Sequence, residues 1–144
     1  MVLLVLLVTL VVVSDLYIMA TIKRFEDLQC WQEARRFVKL VYELTGHERF
    51  KKDFELVGQI KRSAVSAMAN IAEGFHRTSK KDFMKFLDYS RSSLAETISH
   101  LYVAIDQAYI TDLELNKVKE QANIVWKMIN NFITYLNNSI KPKR

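Results

Sequence analysis

Four segments of the chain repeat apolar residues every three or four positions, a spacing that places them on one face of an α-helix. The first helix is predicted to be capped by Asp27 and to run to about Thr45, where Gly46 ends it, and the polar residues 47–52 are predicted to form a loop. Its apolar positions are Leu28, Trp31, Ala34, Val38, Val41 and Leu44. The second helix is predicted to end where Gly74 can adopt the left-handed cap conformation. Its apolar positions are Phe54, Val57, Ile60, Ala64, Met68, Ile71 and Phe75.

The third and fourth helices each follow a polar residue that can accept a hydrogen bond from an unpaired backbone N–H. Ser79 and Asp82 resemble a capping box, and Thr111 and Glu114 match that motif more closely. The third helix carries Phe83, Phe86 or Leu87, Ser90, Leu94, Ile98, Leu101 and Ile105 on its apolar face. The fourth helix carries Leu115, Val118, Ala122, Val125, Ile129, Phe132 and Leu136. It is predicted to end before Pro142.

Four amphipathic helices with short connections can bury their apolar faces only against one another, and short connections make neighbouring helices antiparallel. The sequence therefore predicts an all-α fold, an antiparallel up-down-up-down four-helix bundle over residues 19–144. The second helix also concentrates small residues, namely Ser63, Ala64, Ser66, Ala67 and Ala69. Two interpretations stay open: the helix propensity of alanine, or close approach of another helix within or between subunits.

Composition agrees with a helical globular protein for most of the chain, and residues 1–18 stand apart. The sequence is 50% hydrophobic and 26% charged, and three Gly and one Pro provide too few turns for a β-sandwich or barrel. Residues 1–13 form an apolar run shorter than the roughly 20 residues that a membrane-spanning helix needs. We interpret residues 1–18 as a mis-called start before Met19 or as a disordered tail. The alternative is a signal or anchor, so membrane association is expected only if this extension is translated.

Catalytic and metal-binding motifs do not emerge from the sequence. Cys30 is the only cysteine, so no internal disulfide can form and the cytoplasm is the expected compartment. Glu73 and His76 match half of a di-iron Glu-x-x-His motif, but no second copy on another helix accompanies them. Gly74 is also expected to end the helix that would orient His76. We therefore predict that the protein is not an enzyme and that it has no cofactor and no metal site.

Basic residues suggest a polyanionic partner, because the net charge is +5. The candidate phosphate contacts, which together could form a stripe, are Lys61, Arg62, Arg77, Lys80, Lys81 and Lys85. Arg91 extends this series, and residues 141–144 form a short basic tail. A second group on the first helix consists of Arg35, Arg36 and Lys39. The alternative is a solvated surface whose charge is diluted by acids such as Asp82 and Asp88.

Two segments of the chain resemble one bacterial family. Residues 25–34 read Phe-Glu-Asp-Leu-Gln-Cys-Trp-Gln-Glu-Ala, and residues 59–74 include the segment Asn-Ile-Ala-Glu-Gly, followed by Arg77 and Ser79. Both are similar to the four-helix-bundle proteins encoded in intervening sequences of 23S ribosomal RNA genes, often called S23 ribosomal proteins. A related branch is the accessory variability determinant of diversity-generating retroelements. The resemblance extends over residues 22–136.

The resemblance implies a ring-shaped homopentamer with a basic surface for nucleic acid, RNA more than DNA. The retroelement branch adds a protein partner such as a reverse transcriptase. By position, Arg62 and Arg77 match basic residues of the family. Asn70, Glu73 and Gly74 match a structural motif, in which the Asn and Glu side chains are expected to satisfy backbone groups near the helix end. We therefore expect a non-enzymatic RNA-binding bundle, and the alternative is a protein-interaction scaffold or accessory subunit without direct nucleic-acid binding.

Overall fold

The computed structural model describes residues 22–140, and this part of the chain contains four long α-helices and no β-strand. The helices are α1 (Gln29–Leu44), α2 (Phe54–Phe75), α3 (Lys80–Asp106) and α4 (Asp112–Asn138). The predicted all-α class is therefore confirmed. The extension over residues 1–18, the start at Met19 and the basic tail over residues 141–144 lie outside the described residues.

The starts of α3 and α4 follow the predicted capping chemistry. Thr111 Oγ1 accepts from the Glu114 backbone N–H at 3.3 Å, and Glu114 Oε2 accepts from the Thr111 backbone N–H at 2.8 Å. Ser79 Oγ accepts from the Asp82 backbone N–H at 3.0 Å. The Asp82 carboxylate accepts from the Ser79 hydroxyl at 2.7 Å, whereas a full capping box would use the backbone N–H.

The predicted start of α1 is wrong, and α2 has a cap that the sequence reasoning did not identify. Asp27 lies in a short 3₁₀ turn, Phe25–Asp27, which closes through a hydrogen bond from the Leu28 backbone N–H to the Phe25 carbonyl. Because the chain turns here, Leu28 takes the N-cap position of α1 without a side-chain bond. At the start of α2, Asp53 Oδ1 accepts from the Leu56 backbone N–H at 3.1 Å.

The core is continuous through the four helices, but three aromatic residues differ from the predicted pattern. Phe54 is predicted on the apolar face of the second helix but is 82% exposed, because at the first position of α2 it points away from the buried residues of that helix. Phe37, absent from the predicted face, is fully buried in α1. Phe50 was predicted in a loop and lies in a 3₁₀ turn, Phe50–Lys52, where it is buried and stacks on Tyr109.

The helices contact one another in a closed cycle: α1 with α2 and α4, and α3 with α2 and α4. The most extensive of these contacts joins α2 and α3. Small residues of α2 lie in this interface, with Ser63, Ala64 and Ala67 buried. The close approach of another helix, one of the two interpretations of these residues, is therefore realised within the chain.

Gly74 serves helix packing, so its predicted left-handed cap is wrong. The α2 helix continues to Phe75, and none of the three glycines of the chain has a positive φ. A Cβ atom at Gly74 would lie 2.7 Å from Phe83 Cδ2 and 2.8 Å from Phe86 Cβ. Distances this short leave no room for a side chain, so glycine is needed here because α3 approaches closely.

Candidate nucleic-acid interface

Four of the six predicted phosphate contacts lie around the connection between α2 and α3. They are Arg77, Lys80, Lys81 and Lys85, and we call them the basic corner. One acid, Asp82, lies between residues 77 and 85. The N-terminus of α3 adds the positive end of its helix dipole. This end of the α2–α3 pair therefore concentrates positive charge.

Arg77 is held in place by two neighbours. Its guanidinium forms an ion pair with Glu73, one turn earlier, and its guanidinium carbon lies 4.3 Å from the centroid of the Phe86 ring. An arginine fixed in this way loses little side-chain freedom when it contacts a ligand. Its remaining N–H groups can donate to phosphate oxygens.

The three lysines of the basic corner differ in their surroundings. Lys80 Nζ donates to Ser139 Oγ at 2.9 Å, which ties the start of α3 to the end of α4. Lys81 and Lys85 are exposed, and Lys85 Nζ lies 5.8 Å from the centroid of the Tyr89 ring. Long exposed side chains of this kind can adjust to the spacing of a phosphate backbone.

Lys61 and Arg62 do not join the basic corner, so the predicted stripe is divided. Arg62 lies 75 − 62 = 13 positions before the last residue of α2, about 20 Å at 1.5 Å per residue, and Arg77 follows that end of the helix. Lys61 lies on another side of α2, because its Nζ is 4.5 Å from the centroid of the Tyr42 ring of α1. Residues adjacent in a helix point about 100° apart, and this separates the pair.

Asn70 bonds to groups within α2 and Glu73 pairs with a side chain, so neither caps the helix end as predicted. Asn70 Nδ2 donates to the Ser66 carbonyl at 2.8 Å and to Ser66 Oγ at 3.0 Å. Ser66 Oγ lies in turn 3.0 Å from Ser93 Oγ of α3. Asn70 thus supports the contact between α2 and α3, and Glu73 positions Arg77.

The basic residues of α1 are occupied within their own helix. Arg36 pairs with Glu33 at 2.6 Å, and Lys39 lies 4.0 Å from Glu43. The Arg35 guanidinium carbon is 6.0 Å from the centroid of the Trp31 ring. For this second basic group, the contacts therefore favour the alternative interpretation, a solvated surface with compensated charge.

The residues considered for metal or thiol chemistry have other partners. His76 packs edge-on against Phe25 and Phe75, with ring centroids 6.0 and 5.5 Å away. Within residues 22–140, no group of three or more His, Cys, Asp or Glu residues is arranged to hold a metal ion. Burial raises the pKa of the Cys30 thiol to about 12, so the thiol stays protonated and unreactive.

Sequence reasoning missed a groove between α3 and α4. Its volume is about 420 Å³, and its lining includes Ala95, Ile98, Tyr102, Lys119, Ala122 and Trp126. The available signal was the position of two large aromatic residues, Tyr102 and Trp126, outside the apolar series of their helices. Pairing them required the relative placement of α3 and α4, which periodicity does not provide.

No helix among residues 22–140 has the length and apolar character needed to cross a bilayer.

Comparison with known proteins confirms the family resemblance. The model of the family described as 23S rRNA-intervening sequence protein matches residues 26–131. A solved protein of unknown function from the S23 ribosomal protein family of Bacteroides thetaiotaomicron has the same fold, with a TM-score of 0.65 and 25% identity. The match covers 72% of this chain and 97% of that chain. No curated protein matches the sequence. Because the family match extends from the turn before α1 into α4, the chain belongs to the 23S rRNA-intervening sequence protein family.

Proposed function

We propose that this protein is a non-enzymatic RNA-binding protein and that the basic corner is its principal contact with phosphates. The observation that carries the proposal is the grouping of Arg77, Lys80, Lys81 and Lys85 around one helix N-terminus. Arg77 is paired with Glu73, and the three lysines outnumber Asp82, the one acid among them. Cations grouped in this way neutralise neighbouring phosphates and release condensed counterions, without reading the base sequence. RNA is proposed over DNA because the family description names an rRNA intervening sequence.

The proposal includes the arrangement and assembly of the chain. An antiparallel up-down-up-down bundle is supported by the partners of α3 in α2: Ser90 contacts Ala67, and Thr97 contacts Ser63, so numbers rise along α3 as they fall along α2. A ring-shaped homopentamer acting in the cytoplasm completes the proposal. Self-association would cover exposed apolar side chains such as Leu113 at the start of α4, which is 72% exposed.

Fluorescence anisotropy of the full chain with labelled structured RNA, single-stranded RNA and duplex DNA, at several salt concentrations, tests the function. The double variant Lys81→Gln/Lys85→Gln should lower the affinity for RNA. It should also reduce the slope of log affinity against log salt by about 1.4 to 1.8, because each lost phosphate contact removes about 0.7 to 0.9. The matched control Lys52→Gln/Lys117→Gln removes equal charge at the opposite ends of the helices and should leave the slope near its original value.

The result that would overturn the proposal is an absence of RNA binding at low salt, which would favour the protein-interaction scaffold. Equal loss of slope in both double variants would show that net charge acts without a defined corner, and would reject this surface. Light scattering of the same preparations measures the subunit number, and a mass of five chains is expected.

A further inference from the structure

The groove between α3 and α4 combines exposed aromatic rings with a concave surface. Tyr102 on α3 and Trp126 on α4 are 47% and 38% exposed, although both helices contribute to the core. The small side chains of Ala95 and Ala122 leave space between the two helices. The resulting volume of about 420 Å³ lies within the range of small-molecule sites.

A cation lies beside each ring. Lys119 Nζ is 5.4 Å from the centroid of the Tyr102 ring and donates to the Tyr102 hydroxyl at 2.9 Å. The Arg91 guanidinium carbon is 5.6 Å from the centroid of the Trp126 ring. Arg91 is also paired with Asp88, so its charge is largely compensated. Among the described residues Lys119 has no acidic partner within 4 Å, and it supplies the net positive charge of the groove.

We infer that this groove binds an unpaired RNA nucleotide, with the base stacked on Trp126 and the phosphate directed toward Lys119. Stacking of unpaired bases on aromatic side chains is a general mode of single-strand recognition. The Asn123 amide and the Ser99 hydroxyl also line the groove and can hydrogen-bond to a base edge. The inference rests on the proposed function and adds a base-dependent contact to the phosphate contacts of the basic corner.

The groove is separate from the basic corner. Its first lining residue on α3 is Leu94, nine positions after Lys85, which corresponds to about 14 Å along the helix. It also faces α4, whereas Arg77 of the corner packs on Phe86 beside α2. An RNA strand could therefore contact the two sites independently, and variants at one need not disturb the other.

The chemistry of the lining favours a nucleotide over an apolar protein segment. No acid lines the groove, which suits an anionic ligand. An apolar partner would bury the Lys119 charge without an anion, and would leave Asn123 and Ser99 without a hydrogen-bonding ligand. Burying such groups uncompensated is unfavourable. A nucleotide supplies a flat π face for the rings, polar edges for the amide and hydroxyl, and a phosphate for the ammonium.

The single-tryptophan variant Trp31→Phe makes Trp126 the only tryptophan, because the chain has two. Its emission is titrated in the full chain with a short oligouridylate and with an abasic oligomer of equal length and charge. We expect saturable quenching by oligouridylate and none by the abasic oligomer. In anisotropy measurements, Trp126→Leu should weaken oligouridylate binding about tenfold, and Trp126→Phe, which keeps a ring, should restore most of the affinity.

The outcomes separate this inference from the proposed function. Lys81→Gln/Lys85→Gln in the Trp31→Phe background should lower the salt slope and preserve quenching. Equal quenching by the abasic oligomer, or RNA binding without any response of Trp126, would overturn the stacking site and leave the basic corner standing. Emission that changes with protein concentration and ignores both oligomers would assign the groove to a second copy of the chain. Loss of all RNA binding would reject both.

Discussion

The α3 helix has two interfaces of opposite character, one closed against α2 and one open toward α4. Toward α2, Ser90 Oγ donates to the Ala67 carbonyl at 2.5 Å, and Gly74 lies where no Cβ would fit. Toward α4, Ala95 and Ala122 are equally small, but their space remains a groove. Small residues therefore permit close packing without enforcing it, and the side chains around them decide the outcome.

Hydroxyl groups account for the closed interface. Thr97 Oγ1 lies 2.8 Å from Ser63 Oγ, and Ser66 Oγ lies 3.0 Å from Ser93 Oγ, so polar groups pair across the two helices. Buried hydroxyls without partners are costly, and this pairing fixes the register of α2 against α3. Large aromatic side chains border the space between α3 and α4 and keep it accessible.

Leucine substitutions at matched small residues test this comparison with the largest expected effect. Ser90→Leu should reduce the free energy of unfolding by about 3 kcal/mol or more, because Ser90 is fully buried and its side chain is in direct contact with the α2 backbone at Ala67. Ala95→Leu, on the exposed rim of the groove, should change it by less than about 0.5 kcal/mol. Urea unfolding measures both values.

The milder Ser90→Ala variant keeps the test informative if Ser90→Leu does not fold. It removes one hydrogen bond and should lower the free energy of unfolding by about 1 kcal/mol. Similar losses for Ser90→Leu and Ala95→Leu would mean that the two interfaces are equally closed.

The four helices could be predicted because their signals are local. Apolar spacing and the caps at Ser79 and Thr111 depend on residues a few positions apart. The errors arise where tertiary packing determines the role of a residue. Asp27 lies in the turn that precedes α1 and therefore does not cap the helix. Gly74 is needed because α3 packs closely against it, and no local pattern places α3 there.

The candidate site also has a part that local sequence patterns predicted and a part that they could not predict. The basic corner was visible in the sequence because its residues lie between positions 77 and 85. Helical geometry could have separated Lys61 from Arg62, since adjacent residues point in different directions. The groove could not be predicted, because Tyr102 and Trp126 meet only through the packing of α3 on α4.

Alanine substitutions at two glycines of α2 should change the free energy of unfolding in opposite directions, and this sharpens the comparison of the two interfaces. Gly74→Ala should lower the free energy of unfolding by about 1 to 2 kcal/mol, since its Cβ would overlap Phe83 and Phe86 by more than the gain in helix propensity can offset. Gly58→Ala should raise it by up to about 1 kcal/mol. A Cβ there would lie 3.4 Å from Arg62 Nη1, the end of a flexible side chain.

Thermal or urea unfolding of the two glycine variants measures the difference. A stabilising Gly74→Ala would show that α3 can move away from α2, and the closed interface would lose its main geometric support. Equal stabilisation at both positions would show that the two substitutions act only through helix propensity.

The smallest expected effect concerns the cap at the start of α4, the helix that forms one wall of the groove. Hydrogen bonds from the Thr111 backbone N–H and hydroxyl hold the pKa of Glu114 below its usual range. A carboxylate with a lowered folded-state pKa stabilises the fold above its unfolded pKa of about 4.3, and the contribution is lost as the pH falls through the folded value. Because the side chain is one-third exposed, the loss should stay below about 0.5 kcal/mol.

The free energy of unfolding, measured in urea between pH 6 and pH 3, should therefore decline less steeply for Glu114→Gln than for the unmodified chain. Glu120→Gln, on the exposed surface of α4, serves as the control, and identical profiles for Glu114→Gln and the unmodified chain would show that the charge of Glu114 contributes nothing to the stability of the cap.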